Sequence, residues 1–326
     1  MRLDRKHVVV AGSLAIVVAF VYFTRIVTPF QAERLAIHDG VIGGTGEDPY
    51  RFRVLVPFLI EAIRRAFEAA GQSAGQAFNS ASFVTDIAML FGLFVSAAAL
   101  LRRFHDDRGT LIGLLVMGAF IHTMLQNHFY SPWTIAEAAL FNLFLLRFDA
   151  PGPSAWRLAA IMGGLTAVAT INRETGVAMP AFLALAAVSA WLKGEREQLR
   201  FLLPAAATAG LAWALVFAGL RLAIGPGQPV IALGDVWAEN LSASGLGKTY
   251  MNLFLVFTML WVFVPSGFAR AAPRARRYLM LGLCCYLPLI AVFAIWYEVR
   301  LYMPIYALLT SMLVSGLDFT EPERQA

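Results

Sequence analysis

Long apolar runs separated by short polar segments make up most of the 326-residue chain. A helix needs about 20 apolar residues to cross the hydrocarbon core of a bilayer, with a lower limit of roughly 17. The pattern therefore predicts an all-α, polytopic integral membrane protein with about ten transmembrane helices. The predicted spans are Val8–Val27, Phe83–Leu101, Thr110–Gln126, Pro132–Leu146, Trp156–Ile171, Gly176–Leu192, Phe201–Ile224, Tyr250–Val264, Tyr278–Trp296 and Tyr302–Leu317.

The segment Phe52–Phe67 has a different pattern, in which charged and apolar side chains are interleaved at helical spacing. Glu61 and Arg65, for example, stand four residues apart, where a helix brings oppositely charged side chains together. An amphipathic helix of this kind lies in the membrane interface and does not cross the bilayer. We therefore predict an interfacial helix at residues 52–69, within a first external loop that covers residues 28–82.

Basic residues orient the predicted helices. If the segment Phe52–Phe67 lies flat, most of the 26 lysines and arginines fall on one side of the membrane. Basic loops favour the cytoplasmic side, so both termini are predicted to be cytoplasmic. If the segment crossed the bilayer instead, the basic clusters that begin at Arg102 and Arg270 would face outward. We therefore expect a multi-pass protein of the cell inner (plasma) membrane.

The composition argues against a soluble protein, because 59% of the residues are hydrophobic and only 14% are charged. A soluble domain has about 25% charged residues. The net charge of +5 follows from the basic cytoplasmic loops and does not indicate nucleic-acid binding. The two cysteines, Cys284 and Cys285, are adjacent in an apolar run and indicate neither a disulfide framework nor a metal site. Residues 1–326 are expected to form a single transmembrane domain.

The first external loop contains the first group of candidate functional residues. A carboxylate at Asp39 or Asp48 can act as a general base or hold a divalent cation near the membrane surface. Arg51 and Arg53 have the planar fork that binds phosphate at two points. An ordinary polar loop explains the same residues equally well, because external loops are usually polar.

Two further polar groups lie in short external connections. The spans that flank Arg173 and Glu174 are short, so these charges lie close to bilayer depth, where they are costly unless they are paired or line a wet cavity. A surface turn is the alternative. Glu298 and Arg300 are held at the membrane edge, where a solvated ion pair is the alternative. His128 precedes another external turn, although a lone histidine is more often a hydrogen-bonding residue than a ligand.

All of these segments are predicted to face the same external compartment, and charges that converge at one membrane face indicate a site. We expect the first-loop aspartates, Arg173 and Arg300 to line one externally open cavity. Two single acids within predicted spans, Asp86 and Glu137, should face the bundle interior and lie within reach of the site. A buried acid that is hydrogen-bonded to a neighbouring helix explains each of them at least as well.

An acid-containing loop after the first span, an interfacial helix and later polar external turns together resemble the GT-C class of membrane glycosyltransferases. The segments Pro49–Pro57, Asn172–Thr175 and Glu298–Arg300 also look like motifs of bacterial membrane proteins close to that class. The resemblance implies a sugar donor carried on a polyprenyl phosphate, and a first-loop acid, here Asp39 or Asp48, that serves as the base or as the ligand of a divalent cation. The first loop lacks the Asp-x-Asp pattern of some members.

The sequence thus favours a glycosyltransferase that moves a sugar from a polyprenyl-phosphate donor to an acceptor at the external face, with the membrane lipid as its other partner. A transporter or lipid flippase with a polar pathway, and a non-catalytic membrane assembly subunit, remain alternatives. Transporters usually place ionisable residues near the midplane and often contain inverted repeats. The expected catalytic residues are Asp39, Asp48 and Glu174, and the expected substrate-binding residues are Arg51, Arg53, Arg173, Glu298, Arg300 and His128.

Overall fold

The computed structural model describes residues 3–125, 130–148, 154–225, 227 and 232–317. All regular secondary structure in these ranges is helical. The α-helices are α1 (Arg5–Tyr22), α2 (Gln31–Ile42), α3 (Leu55–Ala69), α4 (Ala74–Leu101), α5 (Asp107–Leu125), α6 (Pro132–Phe148), α7 (Ala155–Asn172), α8 (Ala178–Leu192), α9 (Arg196–Ile224), α10 (Leu233–Leu241), α11 (Ala243–Phe257), α12 (Phe263–Arg270), α13 (Pro273–Phe293) and α14 (Tyr306–Leu317).

Eight helical segments of the described residues are long and apolar enough to cross a membrane. This confirms the coarse prediction of an all-α protein with many potential membrane spans. The other two predicted spans correspond to α6 and α7, helices of 17 and 18 residues that are not among these eight. The number of ten spans therefore stays a prediction. The eight segments are Arg5–Ile42, Ala74–Leu101, Asp107–Leu125, Glu174–Leu192, Arg196–Ile224, Ala243–Arg270, Pro273–Phe293 and Val299–Leu317.

The segment predicted as the first external loop contains more helix than the sequence pattern predicted. A π-helix (Phe23–Val27) and a 3-10 turn (Thr28–Phe30) connect α1 to α2 without a break. The resulting segment has 38 residues, which at 1.5 Å per residue is about 57 Å, far longer than the roughly 30 Å hydrocarbon core. The core can therefore hold only part of it. Helix α3 covers the segment that was predicted to be an interfacial helix, and it begins at Leu55, three residues later than predicted. Its position in the membrane interface stays a prediction.

Helix α6 lies at the centre of the helix packing, between α4, α7 and the 3-10 segment Val299–Ile305. Its buried Phe141 packs edge-on against Phe182 of α8 and Tyr286 of α13, with ring centroids 6.2 and 5.2 Å away. Aromatic rings favour edge-on contacts because the positive edge of one ring meets the negative face of the other. These contacts restrict sideways movement of the rings. The contacts hold the C-terminal half of α6 in place, so that its first turns become a rigid support.

Two glycines allow α12 and α14 to approach closely. A Cβ atom at Gly267 would lie 1.7 Å from the carbonyl oxygen of Met312, and one at Gly316 would lie 2.0 Å from that of Phe263. Only glycine fits where helix backbones come this close. Because α14 continues directly from the segment Val299–Ile305, this crossing also fixes the segment that contains Arg300.

Cysteine labelling tests the predicted orientation. On a background with Cys284 and Cys285 replaced by serine, Asp235→Cys and Asp106→Cys each place one thiol at an exposed position on opposite predicted sides. In intact cells, a membrane-impermeant maleimide should label only the Asp235→Cys variant, because basic loops are retained on the cytoplasmic side. Permeabilised cells provide the control, in which both variants should react. Labelling of Asp106→Cys alone from outside would contradict the flat placement of residues 52–69.

Candidate functional site

Arg53 and Glu174 form a two-point ion pair between the segment before α3 and the 3-10 turn after α7. Arg53 Nε donates to Glu174 Oε2 at 3.0 Å, and Arg53 Nη2 donates to Oε1. The guanidinium also lies over the rings of Tyr50 and Trp133, with 5.2 and 5.1 Å to the centroids. Arginine provides this combination of a planar fork and ring stacking, and lysine does not. The pair therefore joins the first loop to the turn after α7.

Arg173 is neutralised by Glu137 of α6. Arg173 Nη1 donates to Glu137 Oε2 at 2.8 Å, and the Thr175 hydroxyl donates to the other carboxylate oxygen. Arg173 is 5% exposed and Glu137 is 1% exposed. The neighbouring Asn172 donates its Nδ2 to the backbone carbonyl of Trp133 at 2.8 Å. Glu137 thus faces the bundle interior, and the turn after α7 is attached to α6 at two points.

Arg300 reaches the beginning of the same helix from the segment before α14. Its Nη1 donates to the Ser131 hydroxyl, and its Nη2 donates to Glu298 Oε2 at 2.9 Å. Arg300 is 3% exposed. Each buried guanidinium described so far has its own carboxylate, which is the condition under which a charge can be held away from water.

The start of α6 is the point where these contacts converge. Three arginines from separate parts of the chain meet Ser131, Trp133 and Glu137, which lie within about two helical turns. The contacts are, in that order, Arg300 to Ser131, Arg53 to Trp133 and Arg173 to Glu137. We call the six charged residues of this site the arginine cluster: Arg53, Arg173, Arg300, Glu137, Glu174 and Glu298.

Several buried donors in the cluster have no hydrogen-bond partner among the described residues. They are Arg173 Nε, Arg300 Nε and the indole Nε1 of Trp133. Buried N–H groups in folded proteins almost always have a partner, so each of these is a donor that an oxygen ligand can use. Although three glutamates balance the charges of three arginines, the cluster retains N–H groups that suit an anion.

Asp48 lies two residues before Tyr50, whose ring contacts Arg53 of the cluster. Its carboxylate accepts a hydrogen bond from Arg51 Nε, and Arg51 Nη2 donates to the carbonyl of Gly225. The next aromatic residue in the chain, Tyr50, stacks on Trp133 with 5.6 Å between the ring centroids. The Asp48 side chain is 28% exposed, so it remains accessible to a ligand.

Asp39 faces away from the cluster, while its neighbour His38 faces inward. The exposed carboxylate of Asp39 pairs with Arg64 at 2.9 Å. His38 is fully buried, with Nδ1 2.8 Å from the Tyr130 hydroxyl and Nε2 3.3 Å from Glu61 Oε2. Tyr130 in turn packs edge-on against the indole ring of α6. The histidine, not the aspartate, therefore connects α2 to the site.

The structure brings most of the expected site residues together, and it adds four residues that were not among them. These are His38, Tyr130, Ser131 and Trp133. A signal was available for one of them, because Trp133 and Glu137 are four residues apart and so share a helix face. His128 lies outside the described residues.

Neither of two cavities found in the structure is lined by the cluster arginines. The expected externally open cavity therefore stays a prediction. One group of possible metal ligands in the described part of the chain consists of Asp4, His7 and Asp107. Lys6 and Arg102 already pair with these two carboxylates, Asp4 before α1 and Asp107 at the start of α5. The divalent cation expected at a first-loop aspartate also stays a prediction.

Comparison of the chain with protein-family models, with curated proteins and with solved structures found no match. The resemblance to the GT-C class therefore stays an expectation from the sequence. The function must be argued from the geometry of the cluster.

Stability measurements test the Arg173–Glu137 pair. Glu137→Gln should lower the free energy of unfolding by about 3–5 kcal/mol, because it leaves a buried guanidinium without a counter-charge. The matched control is Glu239→Gln, which removes the carboxylate of a solvent-exposed pair with Lys248 and should have little effect. Thermal unfolding of the purified protein in detergent measures both. Equally small losses of stability in Glu137→Gln and Glu239→Gln would show that the buried pair does not hold the turn after α7 in place.

Glu61 links stability to pH. Burial alone would raise the pKa of its carboxyl group, but hydrogen bonds from Arg65 and His38 and the charge of Arg64 outweigh burial and hold that pKa below its usual value. A pKa that is lower in the folded state stabilises the fold above the unfolded pKa, roughly 4.3, and this contribution is lost as the pH falls through the folded pKa.

Thermal unfolding between about pH 5 and pH 3 should therefore show a steeper loss of stability in the wild-type protein than in Glu61→Gln. The exposed Glu33→Gln serves as a control and should retain the wild-type slope. A Glu61→Gln profile parallel to the wild-type profile would contradict the role assigned to this carboxylate.

Proposed function

We propose that the protein is a membrane transferase that binds a polyprenyl-phosphate-linked sugar at the arginine cluster and passes the sugar to an acceptor at the external face. The observation that carries this proposal is the set of buried N–H donors without partners on Arg173, Arg300 and Trp133. Phosphate oxygens are strong acceptors for such donors, and a guanidinium binds them through charge-assisted hydrogen bonds.

The cluster suits the transition state of such a transfer. When the bond between the sugar carbon and the phosphate oxygen breaks, negative charge develops on the leaving phosphate. Donors that are already fixed in a water-poor site stabilise this charge without reorganising. Arg173 and Arg300 are fixed in this way by Glu137, Glu298 and Ser131, so we assign them to hold the phosphate.

Arg53 has a different role in this proposal. Its two-point contact with Glu174 and its position between Tyr50 and Trp133 already occupy much of the guanidinium. We assign Arg53 and Glu174 to position the first loop against α6. A clamp of this kind keeps the acid of the loop at a fixed distance from the phosphate, which is the geometric requirement for an efficient transfer.

Asp48 is the acid that we assign as the general base. It removes the proton from the acceptor hydroxyl while that oxygen bonds to the anomeric carbon of the sugar. The electron pair of the broken carbon–oxygen bond remains on the polyprenyl phosphate, so charge and atoms balance. Asp48 is favoured over Asp39 because its segment contacts the cluster through Tyr50 and its carboxylate remains partly accessible, whereas Asp39 faces Arg64 on the outer surface of α2.

Binding measurements test the phosphate role. Arg300→Ala and Arg173→Ala should each weaken binding of a polyprenyl phosphate to the purified protein by at least tenfold, because each removes charge-assisted hydrogen bonds worth roughly 1.5–3 kcal/mol. Arg173→Lys should recover only part of the affinity while retaining a charge opposite Glu137. Arg157→Ala, at the exposed other end of α7, is the matched control and should bind normally. Unchanged affinity in both cluster variants would reject the phosphate site.

Transfer measurements test the base. With a radiolabelled polyprenyl-phosphate sugar in membranes, Asp48→Asn should abolish transfer but leave lipid-phosphate binding nearly unchanged, because the amide keeps the size of the side chain and loses its basicity. Asp39→Asn is the comparison, and its transfer rate should stay within a few-fold of wild type. Full transfer by both variants would reject the first-loop acid and favour a transporter or flippase.

A further inference from the structure

A second cavity, of about 350 Å³, lies along α1 and α5 and is separate from the arginine cluster. The two helices pack against each other. Part of the wall is the π-helix Phe23–Val27, which continues α1. Such wider turns are rare and are frequent at functional sites. The lining residues are Val21, Tyr22, Arg25, Ile26 and His122.

The position of this cavity along the helices places it at a membrane boundary. Lys6 and Asp107 form an ion pair at the first turns of α1 and α5, so the two helices run parallel from the same side. Arg25 follows Lys6 by 19 residues, which is about 28 Å along a helix and close to the roughly 30 Å of a hydrocarbon core. Arg25 therefore lies at the depth of lipid phosphates on the opposite side.

The cavity lining combines apolar side chains with hydrogen-bond donors for an anion, which match the two parts of a phospholipid. Val21 and Ile26 provide apolar walls for a hydrocarbon chain, while Arg25 and His122 provide donors for an anion. A guanidinium forms short, charge-assisted hydrogen bonds with phosphate oxygens. An imidazole carries at least one N–H donor in either protonation state. This combination suits a phosphate that is attached to an apolar chain.

The helical segment that forms part of the cavity wall continues into α2, which contains the buried Arg34. Arg34 is 1% exposed and lies 5.7 Å from the ring centroids of both Phe78 and Tyr130. Its Nε and Nη1 have no hydrogen-bond partner within the described part of the chain. Arg34 therefore adds available N–H donors to the helical segment that continues from the cavity wall.

We infer that the cavity between α1 and α5 is a binding site for the phosphate group of a membrane lipid, held by Arg25 and His122. This site does not depend on the proposed transfer reaction.

Lipid binding to the full-length protein in neutral detergent tests the inference. The probes are phosphatidic acid, a polyprenyl monophosphate, phosphatidylcholine and inorganic phosphate, each measured by native mass spectrometry. Arg25→Gln should weaken binding of the two lipid monoesters by roughly tenfold or more, because a charge-assisted contact is lost. Arg5→Gln is the matched control, because it changes an exposed arginine at the other end of the same helix and should bind like wild type. Equal affinity for inorganic phosphate would overturn the assignment to a lipid.

Cross-linking distinguishes this site from the cluster. Phosphatidic acid with a diazirine in its acyl chain should label the wall residues Val21 and Ile26, and peptide mapping locates the label. The label should persist in Arg300→Ala, which alters only the cluster, and should fall at least several-fold in Arg25→Gln. Labelling that is unchanged in Arg25→Gln, or that vanishes in Arg300→Ala, would overturn the separate site. If the label persists but the protein transfers no sugar, the proposed function is rejected and the lipid site is retained.

Discussion

The cost of removing a guanidinium from water governs the organisation of this protein. An arginine buried without a counter-charge is strongly unfavourable, whereas one that meets a carboxylate in good geometry can be held in place. Arg53, Arg173 and Arg300 each meet a glutamate, and each also contacts the start of α6. The polar site and the helix packing around it therefore depend on each other. The ion pairs that neutralise the charges also attach three segments between helices to α6.

The helices were predictable because apolar length is a local property of the sequence. The partners of the charges were not, because they depend on which helices become neighbours. Glu137 could be predicted to face inward, but its pairing with Arg173 required the positions of α6 and α7. Helix α2 was predicted as loop because polar residues interrupt its apolar pattern. The four-residue spacing of Arg34 and His38, both buried, is the helical signal in that segment.

His38 faces the helix bundle and Asp39 faces solvent, and the sequence pattern alone does not distinguish these two orientations. Adjacent residues on a helix point about 100° apart, so one side chain is directed at the bundle and the other at solvent. A sequence pattern identifies the acidic segment, but only the rotation of α2 determines which residue reaches Tyr130.

Helices α6 and α7 are short for helices that cross a membrane. At 17 and 18 residues they extend about 26–27 Å, less than a typical core, which suits the polar turn that carries Arg173.

The contacts of the arginine cluster also have a consequence for the order in which the protein matures. The ion pair of Arg53 joins residues 121 positions apart, and the contact of Arg300 with Ser131 joins residues 169 positions apart. A chain made from its N-terminus must keep Ser131 and the first turns of α6 without this partner until the segment Val299–Ile305 emerges. Closing such distant contacts is slow, because the loop entropy is lost before the contact forms. Partly synthesised chains therefore lack the full set of contacts of the site.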